Sequence, residues 1–152
     1  MDITIRKAEG RDAPSLALMV ADLFAVEKDF TPAPEKHEAG IRAILASEED
    51  AAAFVAEDAA SGMAVGMVTV QLVISTAEGG PSGLLEDLFV RADRRRSGVA
   101  SALVDAAEAW CRSRGATRVQ LLADSTNESA LRFYDEAGYG PTRMICRRRF
   151  LT

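Results

Sequence analysis

One stretch of the chain reads as a strand, a crossover helix and a second strand. Apolar residues dominate positions 83–90 (GLLEDLFV), helical apolar spacing runs over residues 99–114 and stops at Gly115, and residues 117–123 (TRVQLLA) again predict a strand. A helical crossover joins strands that lie parallel in one sheet. This unit restricts the fold to an α/β class that contains a parallel strand pair.

The rest of the chain adds strands and helices on both sides of this unit. Further strands are predicted over residues 2–8, 52–57, 64–74 and 142–151. Further helices are predicted over residues 12–28, 35–46 and 127–137. The order β-α-α-β-β-β-α-β-α-β predicts a mixed α/β fold around one sheet, in a single domain over residues 1–152.

Composition excludes several classes of protein. The 152 residues are 48% hydrophobic and 27% charged, which suffices for one buried core. No apolar run reaches the roughly 20 residues that span a bilayer, and the start MDITIRKAEG lacks the pattern of a signal peptide. Two cysteines without a histidine cluster argue against a disulfide framework or a zinc site. We therefore expect a cytoplasmic chain with no metal and no membrane partner.

Charge is divided unevenly along the sequence. Residues 1–90 hold 16 acidic and 6 basic side chains, whereas residues 91–152 hold 7 acidic and 12 basic ones. The first part would attract a cation and the second part an anion, although solvated surface is the alternative explanation. Nucleic acid is not an expected partner, because the net charge is -5 and only 6% of residues are aromatic.

The basic segment RRRSGVASAL (residues 94–103) lies between the predicted strand and helix. The first N–H groups of a helix lack intrahelical partners and carry partial positive charge, and Gly98 and Ala100 leave that backbone uncovered. The pattern predicts a pyrophosphate site to which Arg95 and Arg96 add charge. A basic tight turn is the alternative. Neither a Walker loop nor a Gly-x-Gly-x-x-Gly motif is present.

Two motifs resemble those of the GNAT superfamily of N-acetyltransferases. Arg95-x-x-Gly98-x-Ala100 is similar to the family's Arg/Gln-x-x-Gly-x-Gly/Ala signature, and NESALRFYDEAGY (residues 127–139) is similar to its Asn-x-x-Ala-x-x-Phe-Tyr-x-x-x-Gly-Phe/Tyr segment. The chain departs from the family at Ala100, where glycine is commoner, and at Ala92, where proline is usual. The resemblance implies a mixed sheet of about six to seven strands with a splayed central pair, flanked by about four helices.

The resemblance also implies acetyl-CoA as the donor of an acetyl group. Three segments would contact it: Leu88, Phe89 and Val90 at a strand end; Arg95, Arg96, Ser97, Gly98, Val99, Ala100 and Ser101 around the helix start; and Asn127, Ala130, Phe133 and Tyr134 on the later helix. A backbone N–H group near Leu88 would polarise the thioester carbonyl. Asn127 is also a good N-cap residue, which is its purely structural alternative.

Two side chains are predicted to be catalytic. The resemblance assigns Tyr134 as the acid that protonates the departing thiolate, with a packed aromatic side chain as the alternative. It also favours Glu86 as the base, acting through a water, because LEDLFV is similar to the diamine and polyamine branch of the family. Strand alternation predicts that only one of Glu86 and Asp87 points into the site. Asp87 is predicted to hold a cationic substrate, and an exposed acidic pair is the alternative.

The acceptor is predicted to be a small cationic primary amine that attacks acetyl-CoA directly in a ternary complex. Glu27 is predicted to contribute to its binding, and Phe24 and Phe30 would pack against its alkyl part. A protein or peptide N-acetyltransferase and a non-catalytic acyl-CoA-binding module remain alternatives. The resemblance further favours a homodimer.

Several conspicuous residues are predicted to be structural. His37 lies in a polar helix start and is expected on the solvated surface. Trp110, Cys111 and Cys146 are expected in the core. The arginines at 147–149 are expected to guard the edge of the last strand against pairing, and the alternative is that they help to hold the adenosine 3′-phosphate of the cofactor.

Overall fold

In the computed structural model, which describes residues 2–151, five strands form one mixed sheet with four α-helices. The strands, in their order across the sheet, are β1 (Ile3–Lys7), β2 (Ala51–Asp58), β3 (Ala64–Ser75), β4 (Gly80–Val90) and β5 (Val119–Leu121). The helices are α1 (Ala13–Val26), α2 (Pro34–Ala46), α3 (Val99–Ser113) and α4 (Glu128–Glu136). The α/β class and the number of helices confirm the sequence prediction, whereas the number of strands is lower than predicted.

The prediction of a strand over residues 142–151 is wrong. These residues have no strand pairing and all are exposed. A strand needs a neighbour for its backbone groups, and a sequence with strand-forming residues does not supply one. Consequently the arginines at 147–149 guard no strand edge, and Cys146 is exposed instead of buried in the core.

Helices cover both faces of the sheet. On one face α1 and α2 bury Leu16, Val20 and Ile41 against Val55 and Met67. Successive strand residues point to opposite faces. Gly66, next to Met67, therefore faces α3, where a Cβ added to this glycine would lie 3.2 Å from the Leu103 side chain. Because helices cover both faces of the sheet, consecutive residues of β2 and β3 are buried over long stretches.

The amphipathic helix α3 packs closely because its partner strand begins with small residues. A Cβ added to Gly83 on β4 would lie 2.6 Å from the Sγ atom of Cys111, so only glycine allows this approach. Trp110 and Cys111 are buried, as predicted. The Gly83 N–H group donates a 2.8 Å hydrogen bond to the carbonyl of Arg118, just before β5.

The chain divides into two compact units, residues 1–120 and residues 121–152. The first unit contains β1 to β4 and helices α1 to α3, and the second contains α4. The single domain over residues 1–152 therefore stays a prediction. Within residues 2–151, no helix has both the length and the apolar character needed to cross a membrane.

Candidate active site

A cavity of about 390 Å³ opens in the first unit. Residues of α1 and α2 form one side, and residues of β2, β3 and β4 form the other. Its lining consists of Val20, Phe24, Lys36, His37, Gly40, Ile41, Ala43, Ile44, Ser47, Ala51, Gln71, Glu86 and Asp87. The size is that of a site for a small molecule. We call this cavity the acidic pocket, because both carboxylates predicted from the sequence lie on its wall.

A β-bulge in β4 brings the two carboxylates together. The pairs Met67–Phe89 and Thr69–Glu86 are in register, so Asp87 and Leu88 lie opposite the single residue Val68. Asp87 has a positive φ of 53°, in the left-handed region that aspartate enters more readily than most residues. A bulge interrupts the alternation of side chains and re-aims them.

The bulge makes one expectation from the sequence wrong. Alternation predicts that Glu86 and Asp87 point to opposite faces, yet both side chains line the acidic pocket. Glu86 is exposed, but partial desolvation at the pocket wall raises its pKa, and the neighbouring Asp87 carboxylate raises it further. Burial also raises the pKa of Asp87, against the opposing effect of its hydrogen bond with Thr69. A carboxylate whose pKa is raised is a better proton acceptor near neutral pH.

The opposite wall contains two residues that the sequence does not mark as functional. His37 was expected on the solvated surface, but it lines the pocket and packs edge-on against Phe24, with ring centroids 5.0 Å apart. Its Nε2 atom accepts a 2.8 Å hydrogen bond from the backbone N–H group of Ala33. Lys36 lines the pocket beside it. Phe30 stacks on Phe24 at 4.7 Å, outside the lining residues.

Glu27 does not belong to the acidic pocket. It follows the end of α1, where its backbone N–H group donates a 3.0 Å hydrogen bond to the carbonyl of Leu23, and it is not among the lining residues. Its predicted contact with the acceptor therefore has no support from the pocket geometry.

The start of α3 has the backbone geometry that the basic motif predicts. Gly98 is the N-cap with a φ of 83°, and Arg96 has a φ of 60°. A Cβ added to Gly98 would meet no atom within 4 Å, so the space beside this backbone is open. Left-handed residues at a helix start turn successive N–H groups toward one concave site that suits an anion. Ser97 and Ser101 are exposed on this turn, whereas Val99 is buried.

The three arginines before α3 have three different environments. Arg94 donates a 3.1 Å hydrogen bond to Asp58 in an ion pair that ties this turn to the end of β2. Arg95 stacks over the ring of Phe89 at 5.7 Å and donates a 3.0 Å hydrogen bond to the carbonyl of Val90. Arg96 is exposed, and within residues 2–151 it has no ion pair. Arg94 is thus held by an ion pair, whereas Arg95 and Arg96 are both exposed.

A second cavity of about 410 Å³ lies at the end of β4 in the same unit. Phe89 and Arg95, two of the residues predicted to contact the cofactor, line it together with Asp22, Val26, Arg91, Ala92 and Asp93. Leu88, Phe89 and Val90 run from the acidic pocket toward the start of α3. The extended chain from Asp87 to Val90 covers about 10 Å.

In the second unit, Asn127 caps α4. Its Oδ1 atom accepts a 3.1 Å hydrogen bond from the backbone N–H group of Ala130, which is the structural alternative considered from the sequence. Tyr134 makes edge-on contacts with two other aromatic rings, with centroids 5.4 Å from Phe133 and 6.2 Å from Tyr139. Asn127, Ala130, Phe133 and Tyr134 are all partly buried. Their cofactor roles stay predictions.

The described residues contain no group of three or more His, Cys, Asp or Glu side chains that could hold a metal ion. The ionisable side chains that line the acidic pocket are two carboxylates, one histidine and one lysine.

Comparison with known proteins assigns the family. Residues 19–139 match the model of the acetyltransferase (GNAT) family, which covers most of the chain. The protein belongs to this family, and its enzyme class is acyltransferase. No curated protein matches the sequence.

Solved structures share the fold over nearly the whole chain. A glucosamine-6-phosphate N-acetyltransferase from Arabidopsis thaliana is 20% identical with a TM-score of 0.78, and each chain is covered to 99%. A transcriptional regulator from Bacillus halodurans C-125 is 24% identical with a TM-score of 0.84, covering 98% of this chain and 100% of its own. AAC(6')-Iy, solved with the bisubstrate analogue CoA-S-monomethyl-acetylneamine, is 20% identical with a TM-score of 0.83 and full coverage of both chains.

Proposed function

We propose that the protein transfers an acetyl group from acetyl-CoA to a small primary amine that binds in the acidic pocket. The observation that carries the proposal is the placement of Glu86 and Asp87 together on one pocket wall, on the strand that leads to the start of α3. The wall with Glu86 and Asp87 suits an amine, and the start of α3 suits a pyrophosphate. The part of β4 that follows Asp87 covers about 10 Å, and an extended cofactor arm would lie alongside it.

The start of α3 would hold the pyrophosphate of acetyl-CoA. The support is the open space at Gly98, the left-handed backbone at Arg96 and the exposed, unpaired Arg96 guanidinium, as described within residues 2–151. Leu88, Phe89 and Val90 would pair with the pantetheine arm as an added strand. Asn127, Ala130 and Phe133 would contact the arm from α4.

The acidic pocket would receive the amine in its ammonium form. An ammonium ion has no lone pair, so a proton must leave before the nitrogen can attack. Glu86, acting through a water, would take that proton while Asp87 holds the substrate. The raised pKa of each carboxyl group favours proton uptake at this wall.

Acetyl transfer would then occur directly in the ternary complex. The amine nitrogen forms a bond to the thioester carbon, the carbon–sulfur bond breaks, and its electron pair leaves with the CoA sulfur. A backbone N–H group at the bulge near Leu88 would stabilise the oxyanion, since a bulge leaves a residue unpaired in the ladder. Tyr134 would donate a proton to the thiolate.

The description of the Arabidopsis relative as an N-acetyltransferase agrees with an amine acceptor. The homodimer and the cytoplasmic location predicted from the sequence stay proposals, and sedimentation of the purified protein tests the first of them.

Release of free CoA thiol from acetyl-CoA across a panel of small amines tests the proposal. We expect turnover with at least one amine, a large loss of kcat for Tyr134→Phe, and a loss for Glu86→Gln that is greatest at neutral pH. Tyr139→Phe and Glu49→Gln are the matched controls, because Tyr139 neighbours Tyr134 and Glu49 is exposed outside the pocket. Binding of acetyl-CoA without turnover of any amine would favour the non-catalytic module instead.

A further inference from the structure

The two walls of the acidic pocket offer opposite chemistry. The β4 wall presents Glu86 and Asp87, which accept hydrogen bonds and attract a cation. The α2 wall presents Lys36 and His37, which donate hydrogen bonds. A pocket built for a simple diamine or polyamine would need acceptors on both walls, because Lys36 repels a second ammonium group.

The hydrogen bond at His37 fixes which ring nitrogen is a donor. Because Nε2 accepts the N–H group of Ala33, the proton of the neutral ring lies on Nδ1. Within residues 2–151 no hydrogen-bond acceptor is bound to Nδ1. The edge-on contact with Phe24 holds the ring in place. His37 therefore offers a fixed N–H donor and no free lone pair, so its ring suits recognition of an oxygen atom better than removal of a proton.

Lys36 supplies a full positive charge on the same wall. Among the lining residues it is the one lysine or arginine, it is exposed, and it has no ion pair within the described part of the chain. It lies in the first turn of α2, where the helix dipole also favours a negative group. The combination of an exposed ammonium and a fixed N–H donor suits a carboxylate or a phosphate.

Apolar side chains also line the acidic pocket. Phe24, Ile41 and Ile44 line the pocket, and Gly40 leaves room beside them because a Cβ added there would meet no atom within 4 Å. We propose that the acceptor carries an anionic group as well as its amine, and that this group binds Lys36 and His37 while the amine binds Glu86 and Asp87. The acceptor class is thus a zwitterion with a short aliphatic spacer. This inference rests on the proposed function.

Acetylation of a matched four-carbon series tests the inference: butylamine, putrescine and γ-aminobutyrate, with the corresponding six-carbon series beside it. We expect kcat/KM for the amino acid to exceed that for the alkylamine by about tenfold, since a hydrogen-bonded charge pair contributes on this scale. Lys36→Gln should abolish this preference by raising KM for the amino acid alone. His37→Phe should reduce it, and His37→Asn, which keeps a donor, should restore part of it. Lys28→Gln, on exposed chain outside the pocket, is the control and should change nothing.

The outcomes separate the two levels of the proposal. Equal or better turnover of alkylamines or putrescine in both series overturns the zwitterion inference and leaves the proposed acetyl transfer in place. A preference for amino acids that survives Lys36→Gln also overturns it. Failure of every amine, while acetyl-CoA binds, overturns the proposed function together with the inference.

Discussion

The Thr69 hydroxyl oxygen on β3 lies 3.0 Å from the Oδ2 atom of Asp87 on β4. The same hydroxyl lies 3.2 Å from the carbonyl oxygen of Glu86, so one buried group contacts both residues of the acidic pair. It opposes the effect of burial on Asp87, because a hydrogen bond to a carboxylate favours the charged form. Thr69 thereby supports the bulge and the charge at the pocket wall.

Thr69→Val should raise the pKa of Asp87 further and weaken the fold. The substitution keeps the shape of the side chain but removes the donor, at a cost of about 1–2 kcal/mol in the free energy of unfolding at neutral pH. Because Asp87 must then lose its proton at higher pH, the acid limb of the pH profile of kcat/KM should move to higher pH. Thr69→Ser, which keeps the hydroxyl, is the control. If the acid limb is unchanged in Thr69→Val, the ionisation of Asp87 does not contribute to kcat/KM.

Gly98→Ala should weaken acetyl-CoA binding beyond its effect on stability. A side chain at φ 83° is strained by about 1–2 kcal/mol, and the added methyl group covers the backbone at the start of α3. Gly62→Ala is the matched control, because Gly62 also has a positive φ of 70° and open space but lies in the turn between β2 and β3. Thermal unfolding should show similar losses for both variants, whereas calorimetry should show a raised Kd for acetyl-CoA in Gly98→Ala alone. If the Kd for acetyl-CoA rises in both variants, or in neither, acetyl-CoA does not bind at the start of α3.

Gly40→Ala should make the protein more stable and a poorer enzyme. Glycine inside a helix costs about 0.5–1 kcal/mol relative to alanine, and Gly40 lies in the middle of α2 with no steric barrier to a methyl group. The methyl group would narrow the acidic pocket. We expect a higher midpoint of urea unfolding and a severalfold higher KM for the amine, with the KM for acetyl-CoA unchanged. An unchanged KM for the amine would place the acceptor elsewhere.

Asp12 should make the fold sensitive to acid. Arg6 donates two 2.9 Å hydrogen bonds to its carboxylate, which holds the pKa of Asp12 below its ordinary value despite burial. Since the folded-state pKa lies below that of the unfolded chain, the stabilisation is complete above the unfolded pKa and is lost as the pH falls through the folded one.

Asp12→Asn should therefore reduce the free energy of unfolding by about 1–3 kcal/mol at pH 7, and the difference from wild type should shrink in acid. Urea unfolding at several pH values measures this difference. Asp105→Asn, on the exposed face of α3, should behave like wild type throughout. A deficit that is constant with pH would show that the charge of Asp12 does not stabilise the fold.

The sequence predicted correctly those elements that depend on interactions between residues close together in the chain. Helical spacing and Gly115 located α3 to within a residue, and Gly98, predicted to leave the backbone uncovered, lies directly before its first residue. The bulge at Asp87 has no comparable signal, because pairing with β3 and the Thr69 hydroxyl determine its left-handed conformation. His37 likewise becomes a pocket residue only through the packing of α2 against α1. Residues 142–151 have strand-forming residues, but pairing depends on a neighbour that sequence pattern does not reveal.

The most direct test follows a labelled acetyl group from acetyl-CoA to product. With a ¹³C-acetyl donor and the amine series, we predict an N-acetylated amine that appears in one-to-one ratio with free CoA thiol, and a strong loss of both in Tyr134→Phe. Acetyl-CoA that binds while no amine becomes labelled, or thiol released without labelled amine, would contradict acetyl transfer to an amine in the acidic pocket.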